Sequence, residues 1–238
     1  ATYHRGWDVL RAERFARMKA LGLVAADAVL PPLSLVPVET NNAIANGYSG
    51  KPNPAWDSLP ADRREDLARR MATFAAMVEH VDLGVGRLLA DLEQHGELAN
   101  TLVVFTSDNG AEASGPQDHD SFAGRRGPAA LGYHTDYERL GLKGSYNTIS
   151  PSFASAAVSP LAYYKFYAGE GGMRVPLIVA GASLPVQGEL SHAFSFVTDI
   201  TPTVLSFAGV VPPDARYGGR SVEPMIGSRS WAAAAPGG

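Results

Sequence analysis

Apolar residues recur every three or four positions over one long stretch of the chain: Leu67, Met71, Phe74, Val78, Val81, Val85, Leu88 and Leu92. The period is helical, and it predicts one amphipathic helix from near Pro60, a favourable first-turn residue, to a stop at Gly96. Gly84 and Gly86 each weaken its middle by roughly 1 kcal/mol relative to alanine. Alanines and glycines crowd the flanks where a coiled coil would carry charge, so the expectation is a core helix lying on a sheet. A shorter helix is predicted over residues 8–20. There Leu10, Phe15 and Met18 alternate with Arg11, Glu13, Arg14, Arg17 and Lys19, and Gly22 supplies the stop.

Strand patterns are fewer. Leu102, Val103, Val104 and Phe105 form a continuous apolar run after Asn100 and Thr101. Such a run suits a parallel strand buried on both faces, and helix, turn and strand make half of a βαβ unit. Residues 175–179 are a second buried-strand candidate, and residues 194–197 a short strand. The stretch 199–209 reads as a helix capped by Asp199 or Thr201, with Pro202 in its first turn. The prolines and the Asn/Gly cluster of residues 29–60 predict a loop without strands. Residues 111–170 show little periodicity and are expected to be long, functional loops. The fold class is therefore α/β, with one domain over residues 1–228 and an Ala/Gly tail over 229–238.

Composition narrows the function classes. The chain has 238 residues, 45% hydrophobic and 18% charged, which excludes a disordered polymer. Its net charge of −4 advertises no nucleic-acid or anionic-membrane surface. No apolar run approaches the ~20 residues that cross a bilayer, and the arginine-rich amino end does not read as a signal peptide. The chain contains no cysteine, so disulfides, thiolate zinc sites and thiol nucleophiles are excluded from it.

Three segments carry candidate chemistry. The first apolar strand ends in Ser107-Asp108-Asn109-Gly110. In an open α/β sheet, ligands bind beyond the carboxyl ends of strands. Asp108 and Asn109 offer hard oxygen ligands suited to Ca²⁺ or Mg²⁺, although the tripeptide alone reads first as an ordinary turn. The second segment runs from Lys165 through Glu170-Gly171-Gly172-Met173-Arg174 into Val175-Pro176. A lysine here is either a solvated surface group or a point charge for a tetrahedral oxyanion. The third, Asp199 through Thr203, reads as a helix start with its cap.

Taken in this order and spacing, the three segments resemble the type I sulfatases, and among them the bacterial arylsulfatases. That family shows a strand ending in S-D-N-G, a lysine five residues before E-G-G-x-R-V-P, and a D-x-x-P-T helix start. The resemblance extends to Ala75 through Arg87 and to Arg11 through Leu23, and covers roughly residues 5–228. It implies part of an alkaline-phosphatase-like fold, a mixed sheet flanked by helices with long active-site loops. It implies metal-assisted hydrolysis of a small-molecule sulfate ester, with Ca²⁺ as the usual ion and Mg²⁺ the alternative. Asp108 and Asn109 match two of the metal ligands, and Lys165 matches the lysine that contacts sulfate near the leaving oxygen.

The family's nucleophile is a formylglycine made from Cys or Ser in C/S-x-P-x-R. No such motif occurs here; Ser183-Leu184-Pro185-Val186-Gln187 lacks the arginine. The paired aspartates of the family's first strand are likewise missing, and the chain would begin past its H-x-P segment. Little turnover is therefore expected of the chain alone. Phe153 stands where members carry a tryptophan. His119 and His134 lie in polar loops and are expected to be solvent-exposed structural residues. The alternatives are a phosphodiesterase or phosphonate hydrolase of the same superfamily, or a degenerate non-catalytic anion-binding protein. Compartment and oligomeric state stay open.

Overall fold

The computed structural model describes residues 2–33, 37–40, 43–48, 53–113, 127–182, 184, 188–210, 216–217 and 220–221. In chain order its elements are α1 (Gly6–Ala20), β1 (Pro37–Thr40), β2 (Ala43–Tyr48), α2 (Ala61–Gln94), β3 (Val103–Thr106), α3 (Gly127–Ala130), α4 (Ser150–Val158), α5 (Glu170–Met173), β4 (Leu177–Ala180), α6 (Ile200–Phe207), β5 (Arg216–Tyr217) and β6 (Arg220–Ser221). The fold is mixed and helix-rich. The chain forms two compact units, one of Ala1–Leu88 with Thr106–Leu177, the other of Leu89–Phe105 with Ile178–Gly238.

An aromatic cluster organises the first unit. Phe153 of α4, 1% exposed, meets Trp7 of α1 and Trp56 edge-on at 5.3 and 5.8 Å. Edge-to-face contacts of this kind add about 0.5–1.5 kcal/mol each to the burial itself. Both indoles satisfy their N–H groups, Trp7 on Pro54 O and Trp56 on His4 O, each at 3.1 Å. Gly6, at φ +81°, starts α1 against Trp56, where any Cβ would collide with the indole ring. Arg11 and Arg14 then tie α1 to α4: Arg11 donates to Ser159 Oγ at 2.5 Å, and Arg14 to the carbonyls of Ala156 and Ala157. Arg14 thereby bonds two carbonyls of the last turn of α4, one of which, Ala156 O, also accepts from Ser159 N.

Several expectations change. Residues 150–158 are helix rather than loop, and most of α4 is buried. Its sequence, SPSFASAAV, is small or apolar on every side, so burial all round erases the periodicity that would reveal it. Residues 37–48 contain the antiparallel pair β1–β2, with Thr40 opposite Ala43 and Glu39 opposite Ile44. The β-formers Val38 and Ile44 are hidden among prolines, asparagines and glycines. Residues 194–197 form no strand. Phe194 and Phe196 instead stack edge-on at 4.8 Å, both exposed.

The long helix lies where the period places it, but its stripe is covered along only part of its length. Leu67 is buried and Met71 and Phe74 pack on the aromatic cluster, whereas Val78, Val81 and Leu88 are each more than half exposed. The two apolar strands also differ from a doubly buried parallel pair. β3 and β4 bond to each other, yet Phe105, Leu177 and Ile178 are exposed. With no further strand bonded to them among the described residues, both are edge strands with open faces. Every sheet among the described residues is two-stranded, in place of the single mixed sheet expected.

Candidate functional site

The Ser107–Gly110 turn follows β3 and is held by one local bond and one, from the residue before it, to a distant segment. Ser107 Oγ donates to Asn109 O at 2.8 Å, and Thr106 Oγ1 donates to Pro176 O at 3.0 Å. The turn then meets the Glu-Gly-Gly segment directly. Gly110 N donates to Gly172 O at 2.9 Å. A Cβ on Gly110 would lie far inside van der Waals contact with Gly171 O, so glycine is required there by close approach of two backbones. Gly171 and Gly172 face the same constraint, from Tyr163 O and Tyr167 O respectively.

Lys165 joins this arrangement through its backbone. Its N–H donates to Ala111 O at 3.1 Å, while its ammonium pairs with Glu112 Oε2 at 3.0 Å and lies 5.2 Å from the Phe166 ring centroid. The two charged side chains are each about one-third exposed, 36% and 34%. Flanking residues take the left-handed backbone, Tyr163 at φ +68° and Phe166 at φ +78°, which non-glycine residues adopt at a cost of about 1–3 kcal/mol each. Tyr164, between them in the chain, is fully buried, and burial pushes its phenol well above the usual tyrosine range. It therefore stays neutral.

Asp108 is exposed and Asn109 half-buried at the turn. A carboxylate and an amide carbonyl are hard oxygen donors, and the pair fits part of the shell of Ca²⁺ or Mg²⁺. Among the described residues no group of three or more His, Cys, Asp or Glu side chains is placed to hold a metal ion. What the arrangement does offer is an oxygen pair and an ammonium on loops bonded to one another. Of the other named residues, Phe153 sits in the aromatic core. The third motif is a helix start: Asp199 Oδ2 accepts from Phe196 N at 2.8 Å, and Thr203 Oγ1 donates to Asp199 O at 2.6 Å.

His119 falls outside the described residues. His134 departs from its expected solvent-exposed role: its side chain is only 18% exposed, and both ring nitrogens are buried. The backbone causes this, since His134 N donates to Gly144 O at 2.9 Å and His134 O accepts from Tyr146 N at 2.7 Å, pulling the residue into a bridge. Glu112 is the site residue that sequence reading missed. Nothing local marks it, because its partner Lys165 is distant in the chain and no periodic pattern joins the two.

Comparison with known proteins follows the same residues. The family model described as Sulfatase matches residues 34–210. The chain is 34% identical over 220 residues to an uncharacterized sulfatase of Schizosaccharomyces pombe, covering 92% of this chain and 37% of that protein. It is 29% identical over 226 residues to an arylsulfatase of Klebsiella aerogenes, covering 94% of this chain and 44% of that protein. A third relative is an N-acetylglucosamine-6-O-sulfatase of Bacteroides thetaiotaomicron, 28% identical over 207 residues, with 79% of this chain and 29% of that protein covered. The chain thus spans less than half the length of each of these relatives.

Proposed function

Because this chain belongs to the sulfatase family, we propose that it supplies part of the active site of a sulfate-ester hydrolase acting on a small molecule. Asp108 and Asn109 are assigned as two ligands of a divalent cation, calcium in preference to magnesium. Lys165 is assigned as the charge that meets the sulfate near its leaving oxygen. The observation that carries this reading is that the Ser107–Gly110 turn bonds to the Glu-Gly-Gly segment through Gly110, while Ala111, the next residue, accepts from the backbone of Lys165. The relatives' names, an arylsulfatase and an N-acetylglucosamine-6-O-sulfatase, support the ester class. The fold is read, on the same grounds, as part of an alkaline-phosphatase-like one.

A bound cation would neutralise sulfate oxygens and help orient the ester. This chain's residues do the rest of what is assigned to it. Glu112 holds the Lys165 ammonium beside the Asp108 loop, and a sulfate oxygen takes the carboxylate's place as its partner. The fused glycines keep the two loops at backbone contact, so the oxygen pair and the ammonium are fixed before substrate arrives. The nucleophile is not among these residues, since the chain has no cysteine and no serine in S-x-P-x-R. A formylglycine nucleophile belongs, on this reading, to sequence outside the chain.

Calorimetric titration of the full chain with calcium chloride tests the assignment. Saturable binding in about the millimolar range is expected for so few ligands, with Asp108→Asn weakening it about tenfold or more. Absence of binding, or equal binding by the variant, overturns it.

A further inference from the structure

We propose that the pocket between the start of α2 and the loop following α3 binds a small oxyanion, a carboxylate or sulfate-type group, through Arg70 and His134. The pocket measures about 850 Å³ and belongs wholly to the first unit. It shares no residue with the Asp108–Lys165 site.

Arg70 is 5% exposed and only partly satisfied. Its Nε donates to both oxygens of Asp66, at 3.0 and 2.9 Å, and its Nη2 to Thr135 O at 3.3 Å. Among the described residues, Nη1 is buried with no hydrogen-bond partner, as are both ring nitrogens of His134. Buried polar atoms left this way lose their hydration without return, and a charged group loses most. Asn147 Oδ1, on the side chain whose Nδ2 donates to Arg70 O at 2.9 Å, is unmet as well.

Charge decides what kind of ligand answers them. Asp66 lies between Arg63 at 3.3 Å and Arg70 at 2.9 Å, and Asp136 lies between Arg139 at 3.6 Å and His134 at 3.7 Å. The lining as a whole carries three guanidiniums and four carboxylates, so the selector for an anion is the buried Nη1 of Arg70 itself, to which an oxyanion gives a charge-assisted bond. Asp62 and Glu138, like Asp136 and Arg139, are exposed and screened by water, whereas Arg70 is buried. They disfavour a polyanion without cancelling the buried cation. His134 lines the same pocket, with its side chain 18% exposed.

Titration of the full chain with sodium sulfate, and separately sodium acetate, against chloride at constant ionic strength tests the site. The readouts are calorimetry and the ¹⁵N signals of the histidine rings. One of the two anions is expected to shift the His134 ring saturably with one-to-one stoichiometry, and the better of the two names the headgroup. His134→Gln and Arg70→Lys should each weaken binding by about tenfold or more with native circular dichroism; should Arg70→Lys unfold, His134→Gln alone decides. Lys165→Met should leave binding intact, which separates this pocket from the proposed catalytic site. No saturable shift with either anion, unchanged affinity in His134→Gln, or loss in Lys165→Met overturns the proposal.

Discussion

Gly110 and Gly172 are joined by a backbone hydrogen bond of 2.9 Å, and the carbonyl of neighbouring Gly171 fills the space a Cβ of Gly110 would need. Two loops far apart in sequence are therefore in contact at their main chains. Gly110→Ala is expected to push them apart, costing about 1–3 kcal/mol and abolishing calcium binding together. Gly84→Ala is the matched control: its Cβ meets nothing within 4 Å on α2, and it should stabilise by roughly 0.5–1 kcal/mol. Urea unfolding of both variants checks the pair, and equal effects would refute the close-approach argument.

Phe153 should be the costliest side chain to truncate. Its ring is 1% exposed between two indoles, so Phe153→Ala is expected to lose about 3–5 kcal/mol and Phe153→Leu under about 2 kcal/mol. Denaturation midpoints at unchanged slope provide the measurement. A loss below about 1 kcal/mol for the alanine variant would place the core elsewhere.

Glu65 gives the first unit an acid-sensitive clasp. Its carboxylate accepts from Tyr137 OH at 2.9 Å and pairs with His4 Nε2 at 2.6 Å, and these bonds hold its pKa below the ordinary value. A depressed carboxyl contributes stability above the unfolded-state pKa, about 4.3, and that contribution fades as pH falls through the folded-state value. Melting temperatures of wild type and Glu65→Gln should converge as the medium is taken from neutral to below that range. Parallel curves would remove Glu65 from the account.

Turnover should be absent from the chain on its own. With calcium and 4-nitrophenyl sulfate, the full chain is expected to release no 4-nitrophenol above the rate of the Lys165→Met variant. Release that depends on Lys165 would show that a nucleophile resides in this chain, contrary to the reading from its missing cysteine.

What could be read from the sequence follows from how locally each feature is encoded. The long helix was legible because Leu67, Met71 and Phe74 repeat at the helical period, and the Asp108 turn because Asp, Asn and Gly punctuate an apolar strand. Lys165 and the Glu-Gly-Gly segment were legible as a motif, but not their bond to Ala111 and Gly110, which only the tertiary fold creates. α4 was hidden because burial on all sides leaves no polar face to beat against. Glu112 and the unsatisfied Arg70 were hidden because each is defined by a partner, or a missing one, remote in the chain.

The uneven cover on α2 divides that helix energetically. From Leu67 to Phe74 it is anchored in the aromatic core, while Val78, Val81 and Leu88, each more than half exposed, gain little from burial and Gly84 and Gly86 lower its intrinsic helicity. One continuous rod therefore holds two levels of protection against opening. Backbone amides before Phe74 should exchange with deuterium only on cooperative unfolding of the first unit, and those beyond Val78 through local fraying, orders of magnitude faster.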